Sequence, residues 1–213
     1  MASAFRGSDF DSSSDEDVID EQLTPFHISW LPLSIIECSQ CLGICALPGC
    51  KYKEVRRNLF KDVDELHHQG VQDVFVLCTV GELVHYRVPC LLDVYQQRGF
   101  TVHHKPFCDG EAPELQLCCE ILDELQECLE RKRITVIHCY GGLGRSALIA
   151  ACLLLQLSLL LTANQAIEIL RELRGGGAVQ TVKQYNFIQE FRSKYADYLE
   201  SKEAAAEERS VSR

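Results

Sequence analysis

Short apolar runs alternate along this chain with apolar residues at helical spacing. Phe26-His27-Ile28-Ser29-Trp30-Leu31 reads as a first strand, and Leu42-Gly43-Ile44 as a short buried one. Asn58 to Gly70 places Leu59, Val63 and Leu66 on one helical face, with Gly70 as the stop. Val71 to Thr79 predicts a central strand, because Val74-Phe75-Val76-Leu77-Cys78 is too uniformly apolar for a sheet edge. Gly81-Glu82-Leu83 starts a loop, Val88 to Gln97 forms a helix ended by Gly99, and Phe100 to His104 is another strand. Leu115, Cys118, Cys119, Leu122, Leu125 and Leu129 recur at helical spacing, opposite a wetter side of Glu120, Asp123, Glu124 and Glu127. Ile134 to His138 is the central strand of the sheet, followed by a buried helix from Arg145. Thr162 caps an amphipathic helix from Ala163 to Leu173. After a turn at Gly175-Gly176-Gly177, a last helix from Thr181 carries Tyr185, Ile188, Phe191, Tyr195 and Leu199. Strand and helix alternate as βαβ units require, so the expected fold is α/β: a central, mostly parallel sheet flanked by helices.

Composition sharpens this picture at the ends. Residues 1–24 are rich in Ser, Asp and Glu and carry little worth burying, which predicts a disordered acidic arm. Residues 25–200 form a single domain, and 201–213 a flexible tail that fades through Glu203-Ala204-Ala205-Ala206-Glu207-Glu208. The net charge of −10 argues against nucleic acid or an anionic membrane as a partner. Ala147 to Leu161 is too short, and too interrupted by Gln156 and Ser158, to span a bilayer. Twelve cysteines suggest a disulfide scaffold at first. Many lie inside apolar runs, where a reduced thiol behaves as a small hydrophobe, so a reduced intracellular protein is expected; its expected place is the cytoplasm, with a perinuclear or nuclear fraction. Cys38-x2-Cys41 invites zinc, but Cys45 and Cys50 lack the returning paired spacing of a zinc knuckle. No metal or other cofactor is expected at the reactive site.

The chemistry concentrates in Val136-Ile137-His138-Cys139-Tyr140-Gly141-Gly142-Leu143-Gly144-Arg145-Ser146. A thiol ends a buried strand and faces a loop whose glycines let successive amides converge on an anion. The following helix start adds its own unpaired amides, and that field favours thiolate over thiol. Arg145 brings a planar donor fork suited to phosphate oxygens. Tyr140, Gly141, Gly142, Leu143, Gly144 and Arg145 are therefore the expected phosphate cradle, and Cys139 the nucleophile. A leaving alkoxide needs a proton from another loop. Lys105 to Pro113 lies at the same sheet edge, with Asp109 as its first candidate and Glu111 in reserve. Ser146 is placed to donate to the departing thiolate, and His138 to order the cysteine through hydrogen bonds. His103 and His104 precede the acid loop and are placed to shape it.

Cys-x5-Arg-Ser preceded by His resembles the signature of the cysteine-dependent protein phosphatases. Gln180-Thr181-x2-Gln184-Tyr185 resembles their water-positioning segment, which implies that role for Gln180, with Gln184 as support. The chain also resembles the cyclin-dependent kinase-associated dual-specificity phosphatases through Asp9-Phe10-Asp11-Ser12-Ser13, Ile28-Ser29-Trp30-Leu31 and Cys45-Ala46-Leu47-Pro48-Gly49-Cys50. Further matches are Val55-Arg56-Arg57-Asn58, Tyr86-Arg87-Val88-Pro89, the cysteine loop, and Gln180 through Phe187. Val80 departs from the pattern, standing where that family implies arginine. The resemblance implies a cysteine-dependent phosphatase fold, no cofactor, and hydrolysis of phosphothreonine through a phosphocysteine, with phosphoserine or phosphotyrosine as further substrates. It implies a phosphorylated, preferably cyclin-free cyclin-dependent kinase as substrate and partner, docked around Thr181 to Tyr195. The competing readings are a non-catalytic kinase-binding regulator and a phosphoinositide phosphatase. Uncharged Tyr140 and Leu143 inside the loop disfavour the phosphoinositide reading. Cys78 is a candidate disulfide partner for an oxidised Cys139, set against the plainer reading of a buried strand cysteine.

Overall fold

The computed structural model describes residues 23–34 and 40–211, with side chains described as far as residue 204. Most of the acidic arm, its five serines included, and Cys38 lie outside these residues. Five strands form one sheet, β1 (Ile28–Pro32), β2 (Cys41–Cys45), β3 (Asp73–Val76), β4 (Thr101–His104) and β5 (Thr135–His138). Their order is β1-β2-β5-β3-β4; β1 pairs antiparallel with β2 and every other neighbour is parallel. The mostly parallel α/β sheet is thus as expected, and the strand ending at His138 is its centre. Gly43 is required there, since a Cβ on it would stand 2.6 Å from Val136 Cγ2 and 2.9 Å from the Trp30 ring.

Seven helices complete the described fold: α1 (Leu59–His68), α2 (Val80–His85), α3 (Leu91–Gln97), α4 (Leu115–Glu130), α5 (Arg145–Leu157), α6 (Ala163–Arg174) and α7 (Val182–Val211). One face of the sheet packs on α4, α5, α6 and α7, the other on α1, α2 and α3. Every residue of α5 from Arg145 to Leu155 is buried, which explains its unrelieved apolar sequence. No described helix is long and apolar enough to cross a membrane.

Three elements differ from expectation. The segment after Thr79 is the helix α2 and not a loop. Thr79 Oγ accepts from the Glu82 amide while the Glu82 carboxylate accepts from the Thr79 amide, and this reciprocal cap outweighs one internal glycine. The next helix begins at Leu91, not Val88, because Arg87 turns the chain at φ +62° and the Val88 carbonyl accepts from Leu91 N, a three-residue turn and not an α-helical bond. The last helix continues to Val211, past the stretch where the sequence predicts fading.

Candidate active site

The loop between β5 and α5 is shaped by what holds its carbonyls. Tyr140 O accepts from Leu47 N at 2.9 Å and Leu143 O from Val179 N at 2.8 Å. Arg174, at the end of α6, donates Nη2 to Gly141 O at 3.0 Å and Nε to Gly142 O at 3.2 Å, while its Nη1 reaches Ser29 Oγ at 2.9 Å. Gly144 O is taken by Leu148 N in the first turn of α5. Every carbonyl from Tyr140 to Gly144 is thus tied to the scaffold, which leaves the opposite, N–H side of these peptides for the concavity beside Cys139. Gly142 has φ +68°, and a Cβ there would stand 2.4 Å from Cys45 O, so no other residue fits. Val179 supports the loop from a φ of +62°, a costly conformation for a β-branched residue.

Cys139 is buried at the foot of the loop. Ser146, on the first turn of α5, buries a hydroxyl with no partner, so its hydrogen is free for an acceptor. His138 Nε2 lies 3.0 Å from the Tyr95 hydroxyl. Burial lowers the His138 pKa to about 3, opposed only in part by the Cys139 main chain, so the ring is neutral and unsuited to carrying a proton to substrate. The sequence expectation is that His138 orders the cysteine and its loop through hydrogen bonds; the side-chain bond seen here goes to Tyr95 on α3.

Arg145 has no exposed surface, and its fork is already committed. Glu82 grips both terminal nitrogens, at 2.9 Å to Nη1 and 2.6 Å to Nη2, and Nη1 also donates to Leu77 O and Phe107 O. Burial alone would lower the Arg145 pKa, but the Glu82 hydrogen bonds outweigh it and raise the net value. In Glu82 burial pushes the pKa up, and the bonds from Arg145 and the Thr79 amide bring it below the usual range. The two-nitrogen face expected for phosphate therefore belongs to Glu82. What remains for an anion is the buried, unpartnered Nε and the outer side of Nη2.

That outer side faces the acid loop. Asp109 Oδ1 lies 3.2 Å from Arg145 Nη2, with its side chain 54% exposed. Thr181 Oγ donates to Gly110 O at 2.8 Å and ties this loop to the start of α7. Glu111 turns away and pairs with Lys183 Nζ at 2.7 Å, which leaves Asp109 as the carboxyl at the site. Gln180 and Gln184 converge on the loop: a Cβ on Gly144 would stand 2.8 Å from Gln180 Oε1 and 3.0 Å from Gln184 Nε2. Gln180 is exposed; Gln184 is buried, its Oε1 taken by the Gln180 and Thr181 amides and its Nε2 unpartnered. His104 bonds Cys78 O at 2.9 Å beneath the acid loop, whereas His103 faces α4 and takes no part here.

The structure thus gathers Cys139, the loop peptides, Arg145, Ser146, Asp109, Gln180 and Gln184 at one sheet edge. It adds Glu82 and Arg174, which sequence reasoning missed. Glu82 was discoverable from the cap pattern Thr79-x-x-Glu82; Arg174 carries no local signal. Tyr140 stacks on Tyr86 with ring centroids 4.4 Å apart, and Tyr52 meets Tyr140 edge-on, so an aromatic wall borders the loop. Cys45 and Cys78 lie behind Cys139, with burial raising both thiol pKa values.

Comparison with known proteins agrees with this geometry. A family model described as cyclin-dependent kinase inhibitor 3 matches residues 1–167. The human protein named cyclin-dependent kinase inhibitor 3 is 59% identical over 211 residues, covering 99% of this chain and 98% of its own. Among solved structures, a kinase-associated phosphatase with its catalytic-site cysteine replaced by serine is 61% identical, with a TM-score of 0.79 over 81% of this chain and 97% of that one. The active form of the phosphatase Tk-PTP is 28% identical, with a TM-score of 0.58 over 70% of this chain and 89% of that one.

Proposed function

The chain belongs to the cyclin-dependent kinase inhibitor 3 family, with a cysteine-dependent phosphatase fold, and from that premise we propose that it hydrolyses the activation-segment phosphothreonine of a cyclin-dependent kinase, preferably cyclin-free. The observation that carries the reading is the meeting of three groups from separate elements: Cys139 under the loop, the buried Arg145, and Asp109 at 3.2 Å from Arg145 Nη2.

In the first step Cys139 Sγ attacks phosphorus; the S–P bond forms as the P–O bond to threonine breaks. The loop amides, Arg145 Nε and the outer side of Nη2 hold the equatorial oxygens, a positive field in place before charge develops. A protonated Asp109 gives its proton to the leaving alkoxide. In the second step water attacks phosphorus, ionised Asp109 takes its proton, and the S–P bond breaks to return the thiolate. Ser146 donates its free hydroxyl hydrogen to that thiolate, and Gln180, backed by Gln184, positions the water. Arginine and amides supply the charge needed, so this reaction calls on no metal. The same site is proposed to accept phosphoserine and phosphotyrosine, the dual specificity that the resemblance implies.

The kinase is proposed to dock on α7 between Thr181 and Tyr195, where Val182 and Tyr185 are exposed. The cytoplasm, with a perinuclear or nuclear fraction, is the proposed place of action; every described cysteine is a free thiol, which suits a reducing compartment.

The test is phosphate release from a cyclin-free, threonine-phosphorylated kinase. Cys139→Ser is expected to abolish it, and Asp109→Asn to lower kcat by about 10²–10⁴-fold. Release that persists without Cys139 overturns the mechanism. A Cys139→Ser chain that reproduces every effect of the intact protein on the kinase would establish the pure binding reading instead.

A further inference from the structure

At the end of the sheet away from the Cys139 loop, Asp73, His103 and Cys128 bring an oxygen, a nitrogen and a sulfur within 4.8 Å of one another, the only such group among the described residues. Asp73 opens β3, His103 lies on β4, and Cys128 lies on α4 one turn beyond Glu124. Asp73 is 2% exposed, Cys128 5% and His103 16%. The His103 ring is fixed on three sides. It stacks on Phe75 with centroids 4.1 Å apart and planes 2° from parallel. Its Nδ1 lies 2.8 Å from Glu124 Oε2, and its Nε2 lies 3.0 Å from Asp73 Oδ1. A histidine with one nitrogen on a carboxylate, and the other aimed at a second carboxylate and a thiol, has the arrangement found behind metal-bound imidazoles.

We propose that Asp73 Oδ1, His103 Nε2 and Cys128 Sγ form a zinc site, with Glu124 orienting His103 from behind and water as the fourth ligand. A mixed sulfur, nitrogen and oxygen set suits zinc, while calcium and magnesium take oxygen alone. The plainer account is an ion network in which Asp73 and Glu124 hold His103 and Arg133. In that network the Cys128 thiol is hydrogen-bonded to Asp73, and metal binding exchanges that proton for the ion with the three donor atoms already gathered. Arg133 does not close the site: its Nε pairs with Asp73 Oδ2 and its Nη2 with Thr101 Oγ, leaving Oδ1 on the His103 side. Lys105 Nζ, 2.6 Å from Glu124 Oε1, belongs to the same network, so zinc, Arg133 and Lys105 face Asp73, Glu124 and a Cys128 thiolate with one net positive charge. In the free chain burial keeps that thiol protonated, with a pKa of about 11. On binding, the thiol and the His103 Nε2 release whatever protons they carry to solvent as the two coordinate bonds form. A cleft of about 520 Å³ lined by Asp73, Thr101, His103, Glu124 and Cys128 opens the group to solvent. The bound ion joins β3, β4 and α4 away from the phosphate chemistry.

The test uses the full chain carrying Cys139→Ser, which removes the reactive thiol as a competing ligand. Cobalt(II) is added and the sulfur-to-cobalt charge-transfer absorption followed, then zinc is used to displace it. One bound equivalent is expected. Cys128→Ser should abolish the absorption, His103→Gln should remove tight binding, and Glu124→Gln should weaken it by about 10–100-fold. Circular dichroism and metal-free urea midpoints confirm that each variant folds; should His103→Gln fail, Cys128→Ser, nearly isosteric, carries the test alone. Absence of a bound equivalent in the parent chain, or undiminished binding in Cys128→Ser, overturns the proposal.

Discussion

Arg145 is a cation without exposed surface, and Glu82 is the group that makes its burial tolerable. Removing one partner from such a pair leaves a stranded charge, which costs more than the pair itself contributes. Glu82→Gln keeps the shape and one acceptor but loses the charge. It is expected to cost roughly 2–3 kcal/mol of stability, read by urea unfolding, and to lower kcat for phosphate release more than it raises KM. Unchanged kcat would mean that Leu77 O and Phe107 O alone hold the guanidinium. At this scale the sequence reveals groups whose chemistry is local: Cys139, Arg145 and Ser146 follow from one loop. It ranks Asp109 over Glu111 only by adjacency to the turn, and the structure adds the reason, the Glu111–Lys183 pair. Arg174 was invisible because it acts on carbonyls more than thirty positions upstream, a proximity that exists only once α6 has packed.

Two helices in this chain begin with the same device. Thr79 with Glu82 opens α2, and Thr162 with Gln165 opens α6, each a reciprocal side-chain and backbone cap. Of these two capping side chains only Glu82, a carboxylate where α6 has the neutral Gln165, also holds Arg145, so the two caps have different consequences. Thr79→Ala and Thr162→Ala should each cost about 0.5–2 kcal/mol in unfolding experiments. Phosphate release should fall in Thr79→Ala alone, because loosening the start of α2 frees Glu82. Equal activities would show that Arg145 holds Glu82 in place without the cap. The long elements were legible because their periodicity runs for several turns, as in α1, α4 and α6, or because, as in α5, an unbroken apolar run follows the loop. The six-residue α2 was not, since it is too short for a periodic signal and Gly81 points toward a turn; its cap pattern was the readable clue. The ends of the strand around Val74 were also overextended, because apolar residues flanking β3 are buried by loops as well as by the sheet.

Two buried groups, His138 and Asp62, contribute to the molecule's acid response in opposite directions. His138 has its pKa lowered to about 3 by burial, so between that value and the ordinary 6.5 the unfolded chain binds a proton that the folded chain does not, and stability falls as pH drops through that window. Asp62, which accepts the Gly49 amide at 2.8 Å, has its pKa raised by burial from 3.8 to about 6. Between those two values the folded chain holds the extra proton, so stability from this group is present in acid and lost as pH rises through about 6. Across roughly pH 4.5 to 6 the two slopes, each about 1.4 kcal/mol per pH unit at full effect, largely cancel. Asp62→Asn keeps an acceptor for Gly49 and removes the titration. Its stability relative to the parent chain should therefore change little near pH 4. Relative stability should rise with pH and level above about pH 6.5 at a gain of about 1–2 kcal/mol, below the full two-unit conversion because solvent screens the carboxylate. The variant should also expose the acid sensitivity that His138 imposes, a stability falling steadily from pH 6 to 4.5 where the parent stays nearly level. Urea midpoints for both chains across this range decide it. Parallel curves would mean that Asp62 titrates alike in both states, and that the Gly49 amide offsets its burial.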